Sequence, residues 1–249
     1  MDFFDSGGLR IAYEVTGNGP PILLIHGFAS NARVNWGGTG WVRTLAAAGH
    51  QVIALDNRGH GESEKLYDPA SYGAPAMADD AARLLAHLNI GQADVMGYSM
   101  GARIAAFLTI GHPRLVRRAV FAGLAANMIA GVAGAEEIAA ALEAPTMAAV
   151  PQGQPSAFRL FAEQTKSDRQ ALAACMRSSR QKITPAELST ITCPVLVVAG
   201  EKDDIAGPTE PLIAAIPGAQ GLTLAGRNHM NAVGDRTYKE AVVDFLKLP

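Results

Sequence analysis

Strands of a parallel sheet lie between two layers of helices, so they read as unbroken apolar runs and not as alternating ones. Four stretches of this chain fit that description: residues 22–25, 51–55, 118–122 and 194–200. A shorter run, 93–96, and a more exposed one, 221–224, extend the series. Residues 9–15 alternate instead, as a half-buried strand does, and stop at the turn Thr16-Gly17-Asn18-Gly19-Pro20-Pro21. Helical spacing of apolar positions predicts helices over 41–48, stopped by Gly49, and over 77–88, stopped near Asn89 and Gly91. A closing amphipathic helix is expected from near Thr237 through Leu248. Strands alternating with helices imply βαβ units, a mostly parallel sheet and right-handed crossovers.

That alternation lapses between residues 123 and 185. Alanine-rich helical pieces at 136–142, 155–164 and 168–178 are separated by Pro145, Pro151, Gly153 and Pro155, with no buried strand among them. We read this stretch as a helical cap inserted into one α/β domain formed by 1–122 and 186–249.

Composition changes this picture little. At 249 residues, 49% hydrophobic and 18% charged, the chain is long enough for one large core. A net charge of −2 provides no electrostatic footprint for nucleic acid or an anionic membrane. The acidic start, Met1-Asp2-Phe3-Phe4-Asp5, lacks the basic and apolar regions of a signal peptide, and no apolar run reaches membrane-spanning length. A cytoplasmic protein is expected. Cys175 and Cys193 have no metal-ligand spacing and read as reduced, buried thiols; the oligomeric state is left open.

Chemistry concentrates where the strands end. In parallel sheets ligand sites form at the carboxyl ends of the strands, and the polar or glycine-rich clusters follow Ile25, Leu55, Met96 and Ala199. The central one, Gly97-Tyr98-Ser99-Met100-Gly101, fits G-x-S-x-G, a strand-to-helix turn too tight for side chains at the flanking positions. Ala102, Ala105 and Ala106 then let the following helix lie close to the sheet. A serine hydroxyl is a weak nucleophile at neutral pH, so Ser99 requires a base and an acid to orient that base. His229, in Gly226-Arg227-Asn228-His229-Met230, is the one histidine of six that follows the last strand, and it is expected in a loop. His50 and His112 read as exposed helix-end residues, His87 as a helix-face residue, and His26 and His60 as loop braces. The acid is expected after the strand at 195–199, where Asp203 is preferred and Asp204 is the alternative.

With Ser99, Asp203 and His229 in that order, the chain resembles the α/β-hydrolase superfamily from near Leu9 to Leu248. The resemblance is carried by His26-Gly27-Phe28, the Asp56-x-Arg58-Gly59-x-Gly61-x-Ser63 loop, the serine turn and Gly200-Glu201-Lys202-Asp203. It implies that Gly27-Phe28 is the oxyanion turn, with the backbone N–H groups of Phe28 and Met100 as donors. It implies that 56–63 braces the site without reacting, and that no metal or organic cofactor is needed. Relatives that place aspartate at the elbow, as dehalogenases and epoxide hydrolases do, are disfavoured by Ser99. A serine carboxylesterase is expected, acting on a small to medium, uncharged and fairly apolar ester. Tyr98, Met128 and Phe158 are the candidate substrate contacts, and Phe28, Trp36, Ile129 and Phe161 are possible further walls. A lactonase or carbon–carbon hydrolase is the alternative, needing a cation for a substrate carboxylate, for which Arg33, Arg103 and Arg159 are available. A ligand receptor that retains the triad is the alternative of another class.

Overall fold

The structure is a computed structural model that describes residues 1–247; Leu248, included above in the closing helix, lies outside the described residues. Eight strands form one sheet: β1 (Asp2–Asp5), β2 (Arg10–Thr16), β3 (Pro21–Ile25), β4 (Gln51–Leu55), β5 (Ala93–Tyr98), β6 (Val116–Ala122), β7 (Val195–Gly200) and β8 (Gln220–Leu224). Their order across the sheet is β1-β2-β4-β3-β5-β6-β7-β8. The first two strands run antiparallel, while β4, β3 and β5 to β8 are parallel neighbours.

The unbroken apolar runs have a simple cause. Successive side chains on a strand point to opposite faces, and both faces are covered here. Leu23, Ile25, Ile53, Leu55 and Val95 enter one core, with α2 (Ala74–His87) and α3 (Met100–Gly111). Ile22, Leu24, Val52, Ala54 and Met96 enter the other, with α1 (Trp41–Ala47) and, late in the chain, the helix Arg236–Phe245. Each fully buried leucine or isoleucine is worth about 1.5–3 kcal/mol, so these alternating rows dominate the stability of the sheet. Trp41 locks the second face. Its ring meets that of Tyr238 at 4.6 Å between centroids, and its indole N–H donates to the Val233 carbonyl at 2.7 Å.

Between β6 and β7 the α-helices among the described residues are α4 (Ala126–Ala130), α5 (Ala135–Glu143), α6 (Gln154–Gln164), α7 (Arg169–Ser178) and α8 (Pro185–Leu188), with no strand between them. The core of this excursion mixes alanine and leucine, with Ala139, Leu142, Ala162, Leu172 and Ala173 all buried. Asp168 caps α7, accepting hydrogen bonds from the Gln170 and Ala171 amides, each at 3.0 Å. After β7 come α9 (Glu210–Ala215), β8, the single turn α10 (His229–Ala232) and α11 (Arg236–Phe245). No helix among the described residues is long and apolar enough to cross a membrane.

Two expectations change, and one element was not predicted. The start of the chain is the edge strand β1, whose Phe4 is buried against Tyr13 and stacks on His87 at 5.4 Å. His229 opens the helical turn α10 instead of lying in a loop. Cys175 is a free, buried thiol as expected, whereas Cys193, also free, is only half-buried.

Candidate active site

The turn between β5 and α3 is imposed by crowding. A Cβ on Gly97 would fall 2.1 Å from the Gly101 carbonyl oxygen, and one on Gly101 would fall 1.9 Å from the Ile25 carbonyl oxygen. Both distances lie far inside van der Waals contact, so only glycine lets the helix start so close to β3. Ser99 pays for the tightness with φ 57° and ψ −116°, a backbone conformation that ordinary residues avoid. Its amide is anchored by donating to the Ala122 carbonyl at 2.7 Å.

His229 Nε2 lies 3.0 Å from Ser99 Oγ, and its Nδ1 lies 2.9 and 3.0 Å from the two oxygens of Asp203. The Asp203 carboxylate is buried and also accepts from the amides of Ile205 at 3.1 Å and Ala206 at 2.9 Å. With a carboxylate facing it, Nδ1 carries the proton and Nε2 is left as the acceptor for the serine hydroxyl. Asp204, the alternative acid, is exposed, and its contact is through its backbone carbonyl to Asn127 Nδ2. His229 is held from two further sides. Asn228 caps its helical turn, accepting from the Met230 and Asn231 amides at 3.1 Å, and the Tyr98 hydroxyl donates to the His229 carbonyl at 2.6 Å.

The loop after β3 lies against the elbow. A Cβ on Gly27 would stand 3.4 Å from Ser99 Cβ. The Gly27 amide donates to Asn35 Oδ1 at 3.0 Å, whereas the Phe28 amide and the Met100 amide have no acceptor among the described residues. His26 fixes this loop from below. Its Nε2 accepts from the Asn57 amide at 2.9 Å, so its Nδ1 donates to the Gly27 carbonyl at 2.8 Å. Burial lowers the His26 pKa to about 4 and that of His60, 5.2 Å away between ring centroids, to about 3. Both rings are therefore neutral at pH 7. Asp56 ties the loops together by accepting from the amides of Ala32 at 2.7 Å and Glu62 at 2.8 Å, while Arg58 forks onto Asp80 at 2.7 and 2.8 Å.

A cavity of about 360 Å³ opens over Ser99 and His229. Tyr98, Phe28, Phe158 and Phe161 line it, together with Val34, Ile205, Met230 and Val233, which sequence reading did not single out. The ring of Phe158 on α6 meets that of Phe28 edge-on at 5.7 Å, joining the helical excursion to the loop after β3.

Met128 is a correction. It is fully buried in the core with Leu124 and Ala125, its carbonyl accepting from the Ile183 amide, and it borders neither described cavity. The helix α4 is so short that its one buried side chain is committed to packing. Trp36 likewise packs on Trp41 in the second core, and Ile129 packs against the first. The Tyr98 hydroxyl and the Asn35 amide oxygen were not foreseen as supports. The Asn228 cap was missed as well, although asparagine is a favoured N-cap residue and could have signalled the helical turn.

A sequence profile of the alpha/beta hydrolase fold matches residues 20–166. An uncharacterized protein of Mycobacterium tuberculosis is 36% identical over 120 residues, which is 48% of this chain but 33% of that relative, so the match spans about a third of its length. The 2-(acetamidomethylene)succinate hydrolase of Mesorhizobium japonicum is 28% identical over 97% of this chain and 93% of its own. The crystal structure of a hydrolase from Pseudomonas aeruginosa superposes with a TM-score of 0.83 at 26% identity, covering 99% of this chain and 98% of that one.

Proposed function

Because this chain belongs to the family of the alpha/beta hydrolase fold, we propose that it is a serine hydrolase cleaving carboxylic esters through an acyl-enzyme. The observation that supports this reading best is the continuous hydrogen-bonded line from Ser99 through His229 to Asp203 at the floor of an apolar cavity.

The chemistry follows from those groups. His229 Nε2 removes the Ser99 proton as Oγ attacks the acyl carbon, and Asp203 stabilises the imidazolium so formed. Negative charge develops on the carbonyl oxygen, where the unengaged amides of Phe28 and Met100 are available as donors. Such fixed donors act on charge that appears only in the transition state, and losing one typically costs ~10²–10³ in rate. His229 then protonates the leaving alcohol, and water repeats the sequence on the acyl-enzyme. The cavity volume of about 360 Å³ lies in the range of small-molecule sites, and its largely apolar walls suit the apolar part of a small to medium ester.

The test is hydrolysis of p-nitrophenyl esters of graded acyl length by the native chain and by Ser99→Ala. Steady turnover that falls by at least ~10³-fold in the variant is expected, with an optimum chain length that reports the cavity. Absence of turnover with every ester, in folded protein, would remove the esterase reading. A melting-temperature shift with ligand but without turnover would favour a receptor.

A further inference from the structure

Next to Ser99 lies a second, smaller cavity of about 30 Å³, sharing Phe28, Ser99, Phe158 and Ile205 with the larger one. Its charged lining residues are Arg103 and Arg180. Arg103 stands on α3 four residues past Ser99, one helical turn into the helix that begins at the elbow. It is 3% exposed, and its Nε and Nη2 are buried without a hydrogen-bond partner. Arg180, just beyond α7, donates through Nη1 to the carbonyls of Val132 and Ala133.

The other buried arginines of the fold behave differently. Arg58 forks onto Asp80, and Arg159 pairs with Glu163 while donating to two carbonyls. Among the described residues no carboxylate forms an ion pair with Arg103 or Arg180; exposed Glu137 acts on Arg180 only at a distance. Burial, and then the positive charge of Arg180, hold the Arg103 pKa down to about 10, so it remains charged at pH 7. A buried cation with unused donors facing a second cation is unfavourable unless an anion joins them. A guanidinium matches a carboxylate with two parallel N–H donors. At 10–15 Å³ per water-sized group, the cavity holds about two, the number of oxygens in a carboxylate.

We propose that Arg103 and Arg180 form a carboxylate-binding subsite adjoining Ser99, and that the substrate is an ester of an acid bearing a second, free carboxylate. The proposal rests on Ser99 as the nucleophile and narrows the ester class, replacing the uncharged substrate expected from sequence. The spacing of one helical turn places the recognised carboxylate only a few bonds from the scissile carbonyl, as in a monoester of a short diacid. The remaining apolar part of the substrate, the alcohol, occupies the larger cavity. Arg103 is thus a specificity-determining residue whose loss acts mainly through KM.

The test compares mono-p-nitrophenyl succinate with p-nitrophenyl butyrate, which match in acyl length and differ in charge. The native chain is expected to favour the succinate ester in kcat/KM by about 100-fold, and Arg103→Met to erase that ratio, because site groups left unpaired discriminate strongly. Arg180→Met should lower the same ratio, and Arg103→Lys should restore part of it. A second arm needs no turnover: free succinate should raise the Tm of Ser99→Ala by about 3 °C and leave Ser99→Ala/Arg103→Met unmoved. Equal kcat/KM for the two esters in the native chain, or a ratio untouched by both arginine substitutions, overturns the subsite while leaving the nucleophile in place. If neither ester turns over, the nucleophile reading fails, and the succinate shift alone decides whether the subsite stands.

Discussion

At the scale of single residues, the site depends on which of two adjacent aspartates faces inward. Asp203 does so because its carboxylate also terminates the amides of Ile205 and Ala206, which turn the chain after β7. Asp203→Asn is expected to lower kcat by about 10⁴-fold, as losing the orienting acid does in such triads. Asp204→Asn, at an exposed position, should retain most activity; a reversed ranking in steady-state kinetics would reassign the acid. Tyr98→Phe removes only the hydroxyl that holds the His229 carbonyl. It should lower Tm by an amount corresponding to about 1 kcal/mol and reduce kcat about tenfold, with Ser99 still reactive toward a covalent serine probe. The identities of Ser99 and His229 were readable because each stands at a strand end in a motif with few alternatives. Asp203 was preferred as the partner of His229 with Asp204 left open, since neighbouring turn residues differ in direction and not in type. Met128 was misplaced for a related reason, because an apolar residue after a strand suits a pocket wall and a core equally well.

At the scale of elements, the narrow joint between β5 and α3 makes a sharp prediction. Gly101→Ala drives a methyl group to within 1.9 Å of the Ile25 carbonyl oxygen, which is backbone and has no room to retreat. Soluble yield and Tm should both collapse, whereas Gly111→Ala, at the open end of the same helix, should be tolerated. At α10, Asn228→Ala deletes a cap worth about 1 kcal/mol from a helix of one turn. Circular dichroism should barely change while kcat falls, because the turn carries His229. The buried strands were legible to within about two residues at each end, since helices on both faces force continuous apolar runs. The antiparallel edge escaped notice because β1 is four residues long and buries only Phe4.

At the scale of the molecule, the two neutral histidines under the loop after β3 link stability to acidity. Burial keeps the pKa values of His26 and His60 at about 4 and about 3, against the ordinary 6.5 of an unfolded chain. Between those values the unfolded state binds more protons, so stability is full above pH 6.5 and falls as the pH drops toward 4. At pH 5 the loss should amount to roughly 2 kcal/mol for each ring. Urea midpoints measured from pH 8 to pH 5 should decline, with a shallower slope in His60→Asn. A flat profile would contradict two buried neutral rings.

The three groups aligned at the elbow come from distant parts of the chain: Ser99 follows β5, Asp203 follows β7 and His229 follows β8. Synthesis runs in that order, so a growing polypeptide makes Ser99 130 residues before the His229 it pairs with. Until β8 has docked, Ser99 is an ordinary alcohol with no acceptor for its proton. On the proposed function, reactivity is a late acquisition, and labelling by a serine-directed probe during refolding would serve as a clock for the completion of the sheet.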